Sequence, residues 1–176
     1  APAGGEAPAI TGGGHITSLV AMAFSVTTDT THATVNSGTI SLGFTTATAL
    51  AVGNRIVITV PYMYFSAADS TKAATFTMLG AASMTTATCV FGAGSAAAGS
   101  TLTCTTQAAA LPVGQYVMTF AAGAVTTGSS QPAGMFNVMT ATWGGVTIDA
   151  AAPAGGEAPA ITGGGHITSL VAMAFS

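Results

Sequence analysis

Apolar and polar residues alternate with a period of two along most of this chain. The pattern is clearest at Asn54–Val60, where Ile56, Ile58 and Val60 fall on one face and Pro61 follows. Alternation of this kind is typical of strands that bury one face. Ala-rich pieces are broken by Gly or interleaved with Thr, so no helix is predicted. The predicted strands are His15–Val26, Thr39–Phe44, Asn54–Val60, Ala74–Leu79, Ala87–Phe91, Ser100–Thr105, Gln115–Phe120, Gly134–Trp143 and the short piece Val146–Ile148.

The spacing of these short strands indicates the fold class. Strands that follow one another at regular intervals, separated by Gly- and Pro-containing turns, are typical of sandwiches and barrels. We therefore expect an all-β protein, an antiparallel β-sandwich of Ig-like or related type with about eight strands. A further strand exchanged between neighbouring repeats is expected to be added to this sandwich.

A perfect internal repeat sets the organisation of the chain. Residues 152–176 copy residues 1–25 without a change, so the period is 151 residues. Because fixed-period self-similarity is the signature of repeat architectures, we interpret the chain as one repeat and the start of the next. An engineered fusion of a duplicated end is the alternative. The expected units are a linker at 1–14, a β-sandwich repeat at 15–149, a second copy of the linker at 150–165 and the first strand of the next repeat at 166–176.

The second copy of the first strand suggests how repeats are joined. An exposed strand edge tends to pair with another strand, so we expect residues 166–176 to pair with the preceding domain, as in donor-strand complementation. The Ala/Pro/Gly linker would set the reach. Independent domains, like beads on a string, are the alternative. The expected inter-repeat strand residues are His166, Ile167, Leu170, Val171, Met173 and Phe175, which are equivalent to His15, Ile16, Leu19, Val20, Met22 and Phe24.

Charge excludes several classes of function. Charged residues make up 4% of the chain, against about 25% in ordinary domains. Arg55 and Lys72 are the only basic residues, so a nucleic-acid partner is not expected. No apolar run is long enough for a membrane span. A surface with so few charges suits a protein that is covered by glycans, buried in a filament or insoluble, and each of these interpretations indicates a location outside the cell.

The two cysteines are candidates for a disulfide. Cys89 and Cys104 lie on the two predicted strands that flank a Gly/Ala/Ser turn, so a hairpin would bring them face to face. Such bonds persist in oxidising compartments, which agrees with an extracellular location. Two buried free thiols are the alternative.

Catalytic, metal and cofactor sites are not predicted. The acidic residues are far apart, so no pair is suited to acid–base catalysis, and no nucleophile elbow is present. Asp29 precedes His32 by three residues, which would supply only two metal ligands; a polar loop is the preferred interpretation. Trp143 is interpreted as a core residue, with an exposed sugar-stacking platform as the alternative. The Ser/Thr content and the Ala-Pro units favour O-glycosylation.

Two turn-plus-strand segments carry a family resemblance. Leu50-Ala51-Val52-Gly53 precedes one strand, and Leu111-Pro112-Val113-Gly114 precedes another. The pattern resembles the repeat units of extracellular Ig-like adhesins and surface filaments. The resemblance implies a structural or adhesive role and brings no catalytic residues with it. Together with the internal repeat, it leads us to expect a structural subunit of an extracellular filament that binds other copies of itself. An adhesin stalk or a carbohydrate-binding surface module, with surface glycans as partners, is the second hypothesis.

Overall fold

A computed structural model describes residues 13–66, 71–81, 84–107 and 109–163. Each of the nine predicted strand segments overlaps a strand of the structure, and a tenth strand follows them near the end of the described chain. The strands are β1 (Leu19–Phe24), β2 (Ile40–Thr46), β3 (Arg55–Val60), β4 (Thr71–Met78), β5 (Met84–Ser95), β6 (Gly99–Thr106), β7 (Gly114–Phe120), β8 (Gly134–Ala141), β9 (Thr147–Asp149) and β10 (Gly156–Ala158), with a 3-10 turn at Thr27–Thr30.

The strands form one continuous antiparallel sheet that curls into a half-barrel. Its order is β1, β2, β7, β4, β5, β6, β3, β8 and β10, and β9 also pairs with β8. The sequence predicts a sandwich of two sheets instead. Period-two alternation gives each strand a buried face and an exposed face, but it does not specify whether the buried faces belong to one curled sheet or to two stacked sheets. Irregular register in β1 and in the β5–β6 pair adds local bending.

The concave face of the curled sheet holds the core. In β3 the predicted alternation is confirmed: Ile56, Ile58 and Val60 are buried. Aromatic rings fill the interior in two groups that pack edge to face or stacked, with ring centroids 5.8–6.4 Å apart. Such pairs stabilise a core beyond the area they bury. One group is Phe44, Phe76 and Tyr116, and the other is Phe65, Phe91 and Phe120.

The two look-alike turns before β3 and β7 pair with each other. Leu50 and Leu111 exchange both backbone hydrogen bonds at 2.8 Å, and both side chains are buried. Gly53 has a φ of +89°, a conformation that favours glycine. The repeated Leu-x-Val-Gly pattern therefore corresponds to a structural feature, a bridge between the starts of two strands.

The predicted disulfide is confirmed. Cys89 of β5 and Cys104 of β6 are directly opposed in register and bonded, and both are fully buried. The β5–β6 hairpin places the two cysteines opposite each other. It turns between Gly94 and Gly99, whose φ values are +64° and +75°. A side chain at Gly94 would lie 1.7 Å from the Gly99 carbonyl oxygen, so the turn requires glycine there. The bond is compatible with an oxidising compartment.

Removing this bond should destabilise the domain measurably. We expect Cys89→Ala/Cys104→Ala to lower the free energy of unfolding by roughly 3 kcal/mol, the chain-entropy value for a loop of this size. Denaturant unfolding of the oxidised wild type and the variant measures the difference. A reductant should shift the wild-type midpoint and leave the variant, which has no bond to lose, unchanged. Equal midpoints for the two oxidised proteins would contradict the expectation.

Candidate functional site

The last described residues of the chain pair with the edge of β8 that faces away from β3. We call residues 152–163 the terminal segment. The sequence assigns residues 150–165 to a linker, whereas in the structure residues 150–163 pack into the domain and include β10. Gly156, Glu157 and Ala158 pair antiparallel with Phe136, Met135 and Gly134. β9 pairs with the other half of the same edge, so both parts of the edge gain backbone partners.

A side chain bridges the gap between these two paired stretches. The Asn137 amide donates to the Ala152 carbonyl oxygen at 3.0 Å and accepts from the Ala152 N–H at 3.1 Å. It thereby reproduces the two hydrogen bonds that a strand residue would make. The chain can bulge between β9 and β10 without leaving the backbone of Ala152 unpaired.

Beyond β10, three further contacts hold the terminal segment. The buried Tyr64 hydroxyl donates to the Pro159 carbonyl oxygen at 2.8 Å. Ile161 exchanges both backbone hydrogen bonds with Gln131 at 2.9 Å. The Thr162 N–H donates to the Thr30 carbonyl oxygen, and the Thr162 carbonyl oxygen accepts from the His32 N–H, both at 2.8 Å. We call the surface that receives the segment the docking groove: Gly134–Asn137, Ser129–Gln131, Thr30–His32 and Tyr64.

The shape of the docking groove selects glycine at position 156 and apolar side chains at two further positions. A Cβ on Gly156 would lie 2.4 Å from ring carbons of Phe136, which is far inside contact distance. Ala158 and Ile161 are 0% and 1% exposed and belong to the hydrophobic core. The backbone hydrogen bonds give pairing, and these buried positions give specificity, as in other strand-addition interfaces.

The terminal segment also links the two edges of the curled sheet. β10 is hydrogen-bonded to β8 on one side and lies beside β1 on the other. A Cβ on Gly156 would be 3.2 Å from the Leu19 Cβ, so the two strands are in close contact there. Without residues 152–163, the Gly134–Asn137 part of the β8 edge would lose its partners.

The loop that receives Thr162 is fixed by a buried carboxylate. Asp29 is 1% exposed and accepts hydrogen bonds from the Ser37 N–H, the Ser37 hydroxyl and the Gly38 N–H, at 2.8–2.9 Å. Burial raises the pKa of Asp29, but these hydrogen bonds outweigh it and hold the pKa below its usual value. These contacts agree with the interpretation of Asp29 as part of a polar loop, and the loop holds the end of the terminal segment.

The predicted inter-repeat strand, residues 166–176, lies outside the described residues. Its members are His166, Ile167, Leu170, Val171, Met173 and Phe175. Their first-copy equivalents lie in or just before β1, which pairs with β2 of the same domain. Ile16 and Met22 are buried, and Val20 is half-exposed. The β1 position is thus already filled within the domain.

The interpretation of Trp143 as a core residue is wrong. Trp143 is 65% exposed, and the Arg55 guanidinium lies over its ring with the Cζ 4.2 Å from the ring centroid. The cation–π contact explains how a large ring can remain at the surface next to the start of β3. Sequence position alone places Trp143 near the end of a strand and does not distinguish its two faces.

Among the residues that the structure describes, no group of three or more His, Cys, Asp or Glu side chains is placed to hold a metal ion. No helix in this described part of the chain is long and apolar enough to cross a bilayer. The absence of catalytic and cofactor sites stays a prediction. Asp149 is fully buried: its Oδ2 accepts from the Ala47 and Thr48 N–H groups, and its Oδ1 has no hydrogen-bond partner among the described residues.

Comparison with known proteins finds no match among family models, curated proteins or solved structures. The docking groove and the internal repeat are therefore the features of this chain that bear on its function.

A pair of tyrosines allows the contact with Pro159 to be tested. Tyr64→Phe should lower the free energy of unfolding by about 1–3 kcal/mol, because the partly buried Pro159 carbonyl oxygen loses its donor. We also expect the substitution to accelerate amide hydrogen exchange more at Glu157, Ala158 and Ile161 than in β3, because the lost bond holds the terminal segment.

Tyr116→Phe is the matched control. Tyr116 is also buried, and its hydroxyl also donates to a proline carbonyl oxygen, that of Pro112, at 2.6 Å. This substitution should destabilise the domain without a selective effect on the terminal segment. Identical exchange patterns in the two variants would contradict a local role for Tyr64.

Proposed function

We propose that this chain is a structural subunit of an extracellular filament, built from near-identical tandem repeats joined head to tail in a donor-strand-like manner. One observation carries the proposal. Residues 152–163, which complete the edge of β8, have the same sequence as residues 1–12. In a tandem array the residues that finish one domain are therefore those that begin the next repeat.

The contacts of Gly13 and Gly163 support a stiff joint. Gly13 lies beside the Ile148 carbonyl oxygen, and Gly163 lies beside Ser130. Residues 13–163 span one full 151-residue period, so residue 164 is the equivalent of Gly13. Consecutive domains then follow each other with no residues left for a flexible linker. This favours a filament over beads on a string.

The surface and the disulfide favour an extracellular location. Charges are few, and large apolar side chains such as Val52, Val90 and Val146 are 49–56% exposed. A surface of this kind is suited to lateral packing in a filament or to a cover of O-linked glycans. The Cys89–Cys104 bond needs an oxidising compartment to persist.

Electron microscopy of chains with three and with six periods tests the stiff filament. We expect thin rods of uniform width whose length doubles from the shorter chain to the longer, with a regular axial rise per repeat. Native material should show the same rise. Widely varying end-to-end distances at a fixed number of periods would indicate independent domains on flexible linkers, and would overturn the proposal.

A second candidate function, carbohydrate binding, is favoured by the exposed ring of Trp143. An exposed indole, oriented by the stacked Arg55 guanidinium, is a suitable platform for the apolar face of a sugar ring. This would make the repeat an adhesin stalk or a carbohydrate-binding surface module.

A glycan array tests this second function. Specific binding by the wild type should be lost in Trp143→Ala and kept in Tyr62→Ala, which removes another exposed aromatic ring. Both substitutions are at the surface and should leave the thermal midpoint nearly unchanged. No binding by the wild type, or equal binding by the two variants, would remove this candidate.

A further inference from the structure

We infer that residues 1–12 of one copy of this chain bind in the docking groove of another copy when residues 152–163, which fill the groove here, do not occupy it. The inference rests on the proposed head-to-tail assembly and identifies its joint. The two segments are identical, so every contact of the terminal segment has an equivalent. The buried anchors Ala152, Gly156, Ala158 and Ile161 correspond to Ala1, Gly5, Ala7 and Ile10.

The contacts in the groove are the kind that transfer between identical segments. Most are backbone hydrogen bonds: those of β10 with β8, of Ile161 with Gln131, and of Thr162 with the Thr30–His32 loop. The remaining specificity comes from one glycine and three apolar side chains, and residues 1–12 contain the same four residues at the equivalent positions. The groove therefore has no feature that distinguishes residues 152–163 from residues 1–12.

A chain cannot place residues 1–12 in its own groove. The terminal segment runs along β8 from the end near Asp149 to the end near Gly134. The length of β8 between these ends is about 20 Å, at roughly 3.3 Å per residue. Gly13 is held at the starting end, beside Ile148. In the groove Gly12 would take the place of Gly163, at the far end beside Ser130. Consecutive Cα atoms are only about 3.8 Å apart, so Gly12 and Gly13 cannot span that distance.

The donor must therefore come from a second copy, and the contact is directional. The donor segment and the groove are different surfaces of the chain, so each copy can give one segment and receive one. Heterologous contacts of this type produce open chains unless the rotation closes a ring. The same joint serves a covalent array, in which each domain is completed by the next repeat, and a non-covalent polymer.

In the present chain the two identical segments compete for one groove. Residues 152–163 are tethered beside it and have a high effective concentration, so they exclude residues 1–12 of other molecules. Weakening the terminal segment alone should shift the competition. Ala158→Asp/Ile161→Asp places two carboxylates in fully buried positions and leaves residues 1–12 unchanged.

Matched variants separate exchange from unfolding. We expect the wild type and Ala7→Asp/Ile10→Asp to remain monomeric in analytical ultracentrifugation. Ala158→Asp/Ile161→Asp should form oligomers whose mean mass rises with concentration to at least that of a dimer. The quadruple variant, with both segments altered, should lose these oligomers. A monomeric Ala158→Asp/Ile161→Asp variant, or equal association by the double and quadruple variants, would overturn the inference.

A disulfide trap tests the register directly in the Ala158→Asp/Ile161→Asp background. Glu157 is opposite Met135 on the outer face, so Glu6 should lie opposite Met135 of another copy. Mixing Glu6→Cys chains with Met135→Cys chains should give a 6–135 crosslink under oxidation. Chains with Val52→Cys, at a similarly exposed position, should give none with Glu6→Cys. Absence of the 6–135 crosslink would overturn the inference, and filaments of native material would still leave the proposed function standing.

Discussion

The edge of β8 must be paired, and the rest of the structure depends on how this is done. β8 carries Phe136, Val138 and Thr140 into the core, so its backbone cannot simply be left in solvent without opening the interior. β3 pairs with one side of β8, while β9, the Asn137 amide and β10 share the other. Unpaired buried N–H and C=O groups are costly. The domain is therefore complete only with residues that also begin the repeat.

The strands and the disulfide could be predicted because their information is local. Alternation places Ile56, Ile58 and Val60 on one face whatever the partner strands are, and the structure buries all three. Cys89 and Cys104 flank a Gly-rich turn, and a hairpin places them opposite each other whatever the arrangement of the other strands. Both depend on residues that are near each other in sequence, where period and turn chemistry are sufficient.

The curled sheet and the docking groove depend on residues that are distant in sequence. The terminal segment is rich in Ala, Pro and Gly, which is the composition of a linker, and its alternation is too short to indicate a strand. What orders it lies elsewhere: the Asn137 amide, the Tyr64 hydroxyl and the backbone of the Thr30–His32 loop. The same applies to Trp143, whose exposure is explained by an arginine of another strand. The sequence pattern of one segment does not show which distant residues contact that segment in the fold.

A segment that ends one domain and begins the next is under two constraints at once. It must fit beneath Phe136, where only glycine is small enough at position 156, and it must present Ala158 and Ile161 to the core. Its first copy has to keep the same residues if it is to meet the groove of a neighbour. A change in one copy alone would make the two segments bind with different strengths. Identity between residues 1–12 and 152–163 is thus what would keep every joint of a filament equivalent, whichever molecule supplies the strand.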